Sequence, residues 1–168
     1  MLLVTGITGH SGMYFLQELI SNNYKDPIRC VIKDPSEIAL LDHTNLNIET
    51  TVGDLVDYKF IEEAMHGVQT VLHIASIFYS VNVMKADVEN NVSKAILVHT
   101  TGIYSKYKSA SEEYKGIEAQ IKEIIAKHNS PISLIYLRPT MIYGNVNDKN
   151  MAVFIKMVDK LRLFPVID

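Results

Sequence analysis

A single cysteine, Cys30, stands in 168 residues, so an internal disulfide and a cysteine-held metal cluster are both excluded. It reads as a core thiol in a chain suited to a reducing compartment. No apolar run approaches the roughly 18 residues of a membrane span, and the N-terminus passes into a glycine-rich turn without the charged segment that leads a signal sequence. A soluble, cytoplasmic protein is therefore expected. The six histidines show no H-x-x-x-H or H-E-x-x-H pairing, so no metal site is predicted. Charge of one sign is lacking too: Lys and Arg number 16 against 19 Asp and Glu, which excludes nucleic acid and an anionic membrane as expected partners. Any anion site has to be local.

With 48% hydrophobic residues, the chain can bury the core of one domain of ordinary size. The stretch Leu2-Leu3-Val4-Thr5-Gly6-Ile7-Thr8-Gly9-His10-Ser11-Gly12 reads as strand, tight turn and helix start. Gly6, Gly9 and Gly12 let the backbone turn sharply, approach a ligand closely and lay the new helix against a sheet. A pyrophosphate fits at that helix N-terminus, where unpaired N–H groups and the helix dipole favour an anion. Gly6, Thr8, Gly9, His10, Ser11 and Gly12 are therefore candidate cofactor contacts.

Strand-like runs follow at 27–32, 47–52, 68–74, 95–99 and 131–137. Helical patterns lie between or after them at 57–66, 82–89, 109–127 and 150–161, and a short helix opens at Pro35-Ser36 and runs through Leu41. Strands alternating with helix-length segments predict a parallel sheet with right-handed crossovers. At the end of the second strand an NAD-preferring site usually places an acid for the adenosine ribose hydroxyls. Lys33 occupies about that position and suits the 2′-phosphate of NADP, while Asp34 beside it suits NAD; NADP is slightly favoured. Asp54, directly after a strand, faces the crevice where parallel sheets bind ligands, or else caps the next helix. Ala75 and Ser76 are small enough for close cofactor approach.

In order and spacing, four motifs resemble the short-chain dehydrogenase/reductase superfamily, in particular its NAD-dependent epimerase/dehydratase and NmrA-like branches. They are Thr5-Gly6-x-x-Gly9-x-x-Gly12, Gly53-Asp54-Leu55, Leu72-His73-Ile74-Ala75-Ser76 and Arg138-Pro139-Thr140-x-x-Tyr143-Gly144. The resemblance implies a three-layer, doubly wound α/β Rossmann fold with strand order 3-2-1-4-5-6. It also implies an NAD(P) cofactor, with Asp54 and Leu55 at the adenine ring, Ala75 and Ser76 at the ribose, and Pro139 and Thr140 beside the nicotinamide. One domain over residues 1–168 is expected, with a C-terminal substrate lobe absent or only begun. A homodimer covering the exposed sheet edge is a further expectation.

For chemistry, the resemblance implies a Ser or Thr after the fifth strand and a Tyr with a Lys four residues later on one helix face. Thr100 falls at the first place. Tyr104 and Lys108 make the literal Y-x-x-x-K, but in the loop before the helix; in a register aligned through Glu118, Tyr114 takes the lysine position. The candidate catalytic residues are thus Thr100, Tyr104, Lys108 and Tyr114. Three readings stay open. One is an oxidoreductase or epimerase-like enzyme acting on a carbonyl or alcohol carbon of an unknown small molecule, such as a nucleotide sugar. The others are a non-catalytic NAD(P) sensor and a catalytically incomplete fragment.

Overall fold

The computed structural model describes residues 1–42, 44–106, 108–143 and 151–162, without the side chains of 108–110. Six strands, β1 (Leu2–Thr5), β2 (Ile28–Ile32), β3 (Ile48–Val52), β4 (Thr70–His73), β5 (Lys94–Val98) and β6 (Ser133–Leu137), form one sheet in the order 3-2-1-4-5-6. Every pairing is parallel. The helices are α1 (His10–Ser21), α2 (Tyr58–Ala64), α3 (Ser80–Glu89), α4 (Lys108–Lys127) and α5 (Met151–Leu161). This is the doubly wound Rossmann arrangement that the alternation of strand and helix patterns leads to.

Alternation within single strands builds the layers. Leu3 and Val31 pack on one face with Ile61 of α2, Met84 of α3 and Ile121 of α4. Their chain neighbours Val4 and Cys30 pack on the other with Leu16 and Leu19 of α1. Strands buried on both faces read as unbroken apolar runs, which is why the central ones are legible in the sequence. Cys30 is buried as expected, and burial pushes its thiol up to about 12.

The elements differ from expectation mostly at their ends. Pro131, with no N–H to donate, lies before β6 rather than in it. The short helix is a 3₁₀ turn, Pro35–Leu40, and two further 3₁₀ turns, Ile77–Tyr79 and Thr101–Tyr104, occupy stretches that carry no helical periodicity. Among the described residues no helix is long and apolar enough to cross a membrane. The strand order changes direction between β1 and β4, so the crevice at the carboxyl ends of these two strands is where this topology binds ligands.

Candidate functional site

The turn after β1 is held shut by its own backbone. Gly6 has φ +74°, and a Cβ there would lie 2.7 Å from the Ala75 nitrogen, so the turn rests directly on the end of β4. A Cβ on Gly12 would lie 2.1 Å from the Gly6 carbonyl oxygen, so only glycine lets α1 start this close. Gly9 is the N-cap of α1, no side chain caps the helix, and its first turn holds no acid. The leading N–H groups thus face the crevice without competition from an internal anion. His10 Nε2 is buried and has no protein partner.

On the β2–β3 side, Lys33 Nζ pairs with Asp54 Oδ2 at 2.8 Å. The hydrogen bond between them raises the lysine and, with the Val56 N–H donating to Asp54 Oδ1 at 3.0 Å, lowers the carboxyl. Asp54 therefore does not cap α2; Asp57 does, accepting from the N–H groups of Lys59 and Phe60. Asp34 caps the first 3₁₀ turn through the Ser36 N–H, which holds its carboxyl below the usual range. Leu55 is buried in the core. Glu37, which the sequence did not single out, accepts a hydrogen bond from the Thr8 hydroxyl at 2.7 Å. The signal was present as Asp34-x-x-Glu37, the spacing of a capping box, with the glutamate turned to the glycine turn instead of back to its own cap.

At the ends of β4, β5 and β6, Ala75 is half-buried beside Gly6, and Ser76 is exposed with its carbonyl 3.2 Å from His73 Nε2. A carbonyl only accepts, so Nε2 donates and Nδ1 accepts from the Thr5 hydroxyl at 2.7 Å. Burial pushes His73 down to about 4, so it is neutral. Thr100 Oγ1 accepts from the Gly102 N–H at 3.0 Å, which leaves its hydroxyl proton for a ligand. The Tyr114 ring packs over Gly102, where a Cβ would lie 3.0 Å from its Cε2, and it sits 6.1 Å from the Phe78 ring. Thr100 and Tyr114 thus flank one glycine.

Tyr104 ends its 3₁₀ turn 72% exposed, whereas Lys108 is the first residue of α4, its side chain outside those described. The two belong to different helices. The Pro139 carbonyl accepts from the Thr101 N–H at 3.2 Å, tying the loop after β6 to the loop after β5. Thr140 and Tyr143 are exposed, and Gly144 lies outside the described residues.

A profile for proteins described as NAD(P)H-binding matches residues 6–150. The chain belongs to this NAD(P)H-binding family. It falls within the extended short-chain dehydrogenase/reductase superfamily, as the motif order led one to expect. UDP-glucose 4-epimerase of Rickettsia massiliae is 32% identical over 123 residues, which cover 59% of this chain and 36% of that protein. Among solved structures, MoeE5 in complex with UDP-glucuronic acid and NAD superposes with TM-score 0.72 at 18% identity, over 94% of this chain and 59% of that one. Triphenylmethane reductase of Citrobacter sp., complexed with NADP(H), gives 0.65 at 21% identity over 84% and 50%. The chain spans about a third of the epimerase and half to three-fifths of the two structures.

The residues fit the cofactor of this NAD(P)H-binding family. The glycine cradle and the uncapped start of α1 lie at the crevice mouth, and His10, the first residue of α1, has a buried Nε2 with no hydrogen-bond partner among the described residues. Where the chain leaves β5 and β6 sits a network that sequence reasoning missed. Glu118 of α4 accepts from Arg138 Nη2 at 2.6 Å and Nε at 3.1 Å, and from His99 Nδ1 at 3.0 Å. His99 Nε2 accepts from the Ser80 hydroxyl at 3.1 Å. Burial raises Glu118, but the hydrogen bonds from Arg138 and His99 outweigh it and keep the carboxyl ionised below its usual range. Burial lowers His99 in turn. Four elements meet in this network, so no single stretch of sequence could reveal it.

Proposed function

We propose that this chain binds a nicotinamide dinucleotide across the carboxyl ends of β1 and β4 and supports hydride transfer between nicotinamide and a carbonyl or alcohol carbon of a small molecule. The observation that carries the reading is the glycine turn, shut by backbone contact and followed by a helix N-terminus with no side-chain cap. When bound, the dinucleotide supplies or accepts the hydride. Thr100 donates its free hydroxyl proton to the substrate oxygen while the Gly102 N–H holds its Oγ1 in place. The phenol of Tyr114 exchanges a proton with that oxygen, and Phe78 shields its ring. Ala75 would leave room for the cofactor, Ser76 would edge its ribose, and Pro139 with Thr140 would border the nicotinamide. The epimerase and MoeE5 favour a nucleotide sugar as substrate class, and the reductase a triphenylmethane compound.

One observation favours a second reading, a dinucleotide sensor without chemistry: Tyr104 ends a 3₁₀ turn and Lys108 begins α4, so the Y-x-x-x-K spacing does not fall within one helix. Titration with NADH and NADPH followed by fluorescence tests the shared premise, and failure of both to bind sinks it. For turnover, carbonyls, alcohols and nucleotide sugars are screened by cofactor absorbance. The enzyme reading expects activity that falls about 10²-fold or more in Thr100→Val and in Tyr114→Phe with cofactor affinity retained. Binding without turnover on every substrate favours the sensor.

A further inference from the structure

Which dinucleotide the crevice takes is set by the charges around the ribose of its adenosine half. That ribose lies between the glycine turn and the end of the second strand in this topology. Glu37 is fixed at this place by contact, its Oε2 accepting from Thr8 inside the turn. It is half-buried, and the 3₁₀ turn that carries it is pinned by the Asp34 cap and by the Glu37 N–H donating to the Asp34 carbonyl at 3.0 Å. Its second carboxylate oxygen accepts no hydrogen bond from the described residues. Lys33, the residue that suggested NADP, is largely exposed and paired with Asp54, so its charge is partly offset by the carboxylate and screened by water. Among the described residues, one lysine and three carboxylates, Asp34, Glu37 and Asp54, stand around this point.

We infer that Glu37 is the acceptor for the adenosine 2′-hydroxyl and that this chain selects NAD(H) over NADP(H). The inference rests on the dinucleotide reading of the glycine turn. A ribose diol brings O–H donors to a carboxylate with an open oxygen, a charge-assisted bond. A 2′-phosphate brings about two further negative charges to the same oxygen, with no unpaired cation beside it among the described residues. This reading departs from the expectation of NADP or NAD with NADP slightly favoured, because Lys33 is paired with Asp54 while Glu37 stands at the turn.

The test is a fluorescence titration of the full chain with NADH and with NADPH at fixed ionic strength, with AMP and adenosine 2′,5′-bisphosphate as competitors. The wild type is expected to bind NADH roughly tenfold or more tighter than NADPH, and AMP tighter than the bisphosphate. Glu37→Gln, which keeps the shape and removes the charge, is expected to shrink both ratios by about tenfold, while Lys33→Ala changes them little. Equal or tighter NADPH binding by the wild type overturns the inference and leaves the dinucleotide reading standing; so does an unchanged ratio in a Glu37→Gln protein that melts like the wild type. If neither cofactor binds, both readings fall together. The competitor pair needs no variant, so a poorly folding substitution does not remove the test.

Discussion

At the scale of single residues the glycines divide into those that cannot change and those that can. A Cβ on Gly12 would press into the backbone carbonyls of Gly6 and Ile7, which cannot move aside as a flexible side chain would. Gly12→Ala is therefore expected to cost about 1–3 kcal/mol and to abolish NADH binding. A Cβ on Gly116, inside α4, would meet nothing within 4 Å, so alanine there gains helix propensity without a clash. Gly116→Ala is expected to stabilise the fold by up to about 1 kcal/mol, leaving cofactor affinity unchanged. Urea denaturation and NADH titration of the two proteins check this contrast; similar shifts in both would mean that the glycine turn is not close-packed. The close approach at Gly12 was readable because the glycine spacing falls between a strand-like run and a helical pattern, the context such a turn requires. The contact of Glu37 with Thr8 was not, since it spans 29 positions.

At the scale of elements, the strands and long helices were legible from apolar runs and from the 3.6-residue period, as in Ile117, Ile121 and Ile124 of α4. Short 3₁₀ turns carry too few residues to show a period, so those at 77–79 and 101–104 leave no trace in the pattern although both follow the carboxyl ends of strands, β4 and β5. Glu118 shows the complementary difficulty. In sequence it is one of many charges on a solvated helix, yet in the fold it is only 5% exposed and joins α4 to β5 and β6 through His99 and Arg138. Glu118→Gln leaves the Arg138 guanidinium without its counter-charge. The expected cost lies toward the lower end of about 3–5 kcal/mol, because Arg138 keeps partial access to water. Urea unfolding measures it, and a change below about 0.5 kcal/mol would show that the network does not tie these elements together.

At the scale of the whole molecule, two buried groups pull the dependence of stability on pH in opposite directions. His73 is held neutral, its folded value near 4 against an ordinary 6.5, so its contribution is complete above pH 6.5 and is lost as pH falls toward 4. That loss is on the order of 3 kcal/mol. Asp87 of α3 is fully buried, and neither carboxylate oxygen has a hydrogen-bond partner among the described residues; burial raises it well above 3.8. A raised acid works the other way: its contribution is complete below pH 3.8 and is lost as pH rises through the folded value. Between pH 4 and 6.5 the two slopes oppose each other in the wild type. Asp87→Asn removes one of them. The variant is expected to gain on the wild type steadily from pH 4 upward, by at most about 1.4 kcal/mol per pH unit, and to show the fall of the histidine undisguised toward acid. Urea unfolding from pH 4 to 8 on both proteins reads the difference directly. Parallel profiles would mean that Asp87 is ionised in the fold, and that a cation or water inside the molecule compensates it.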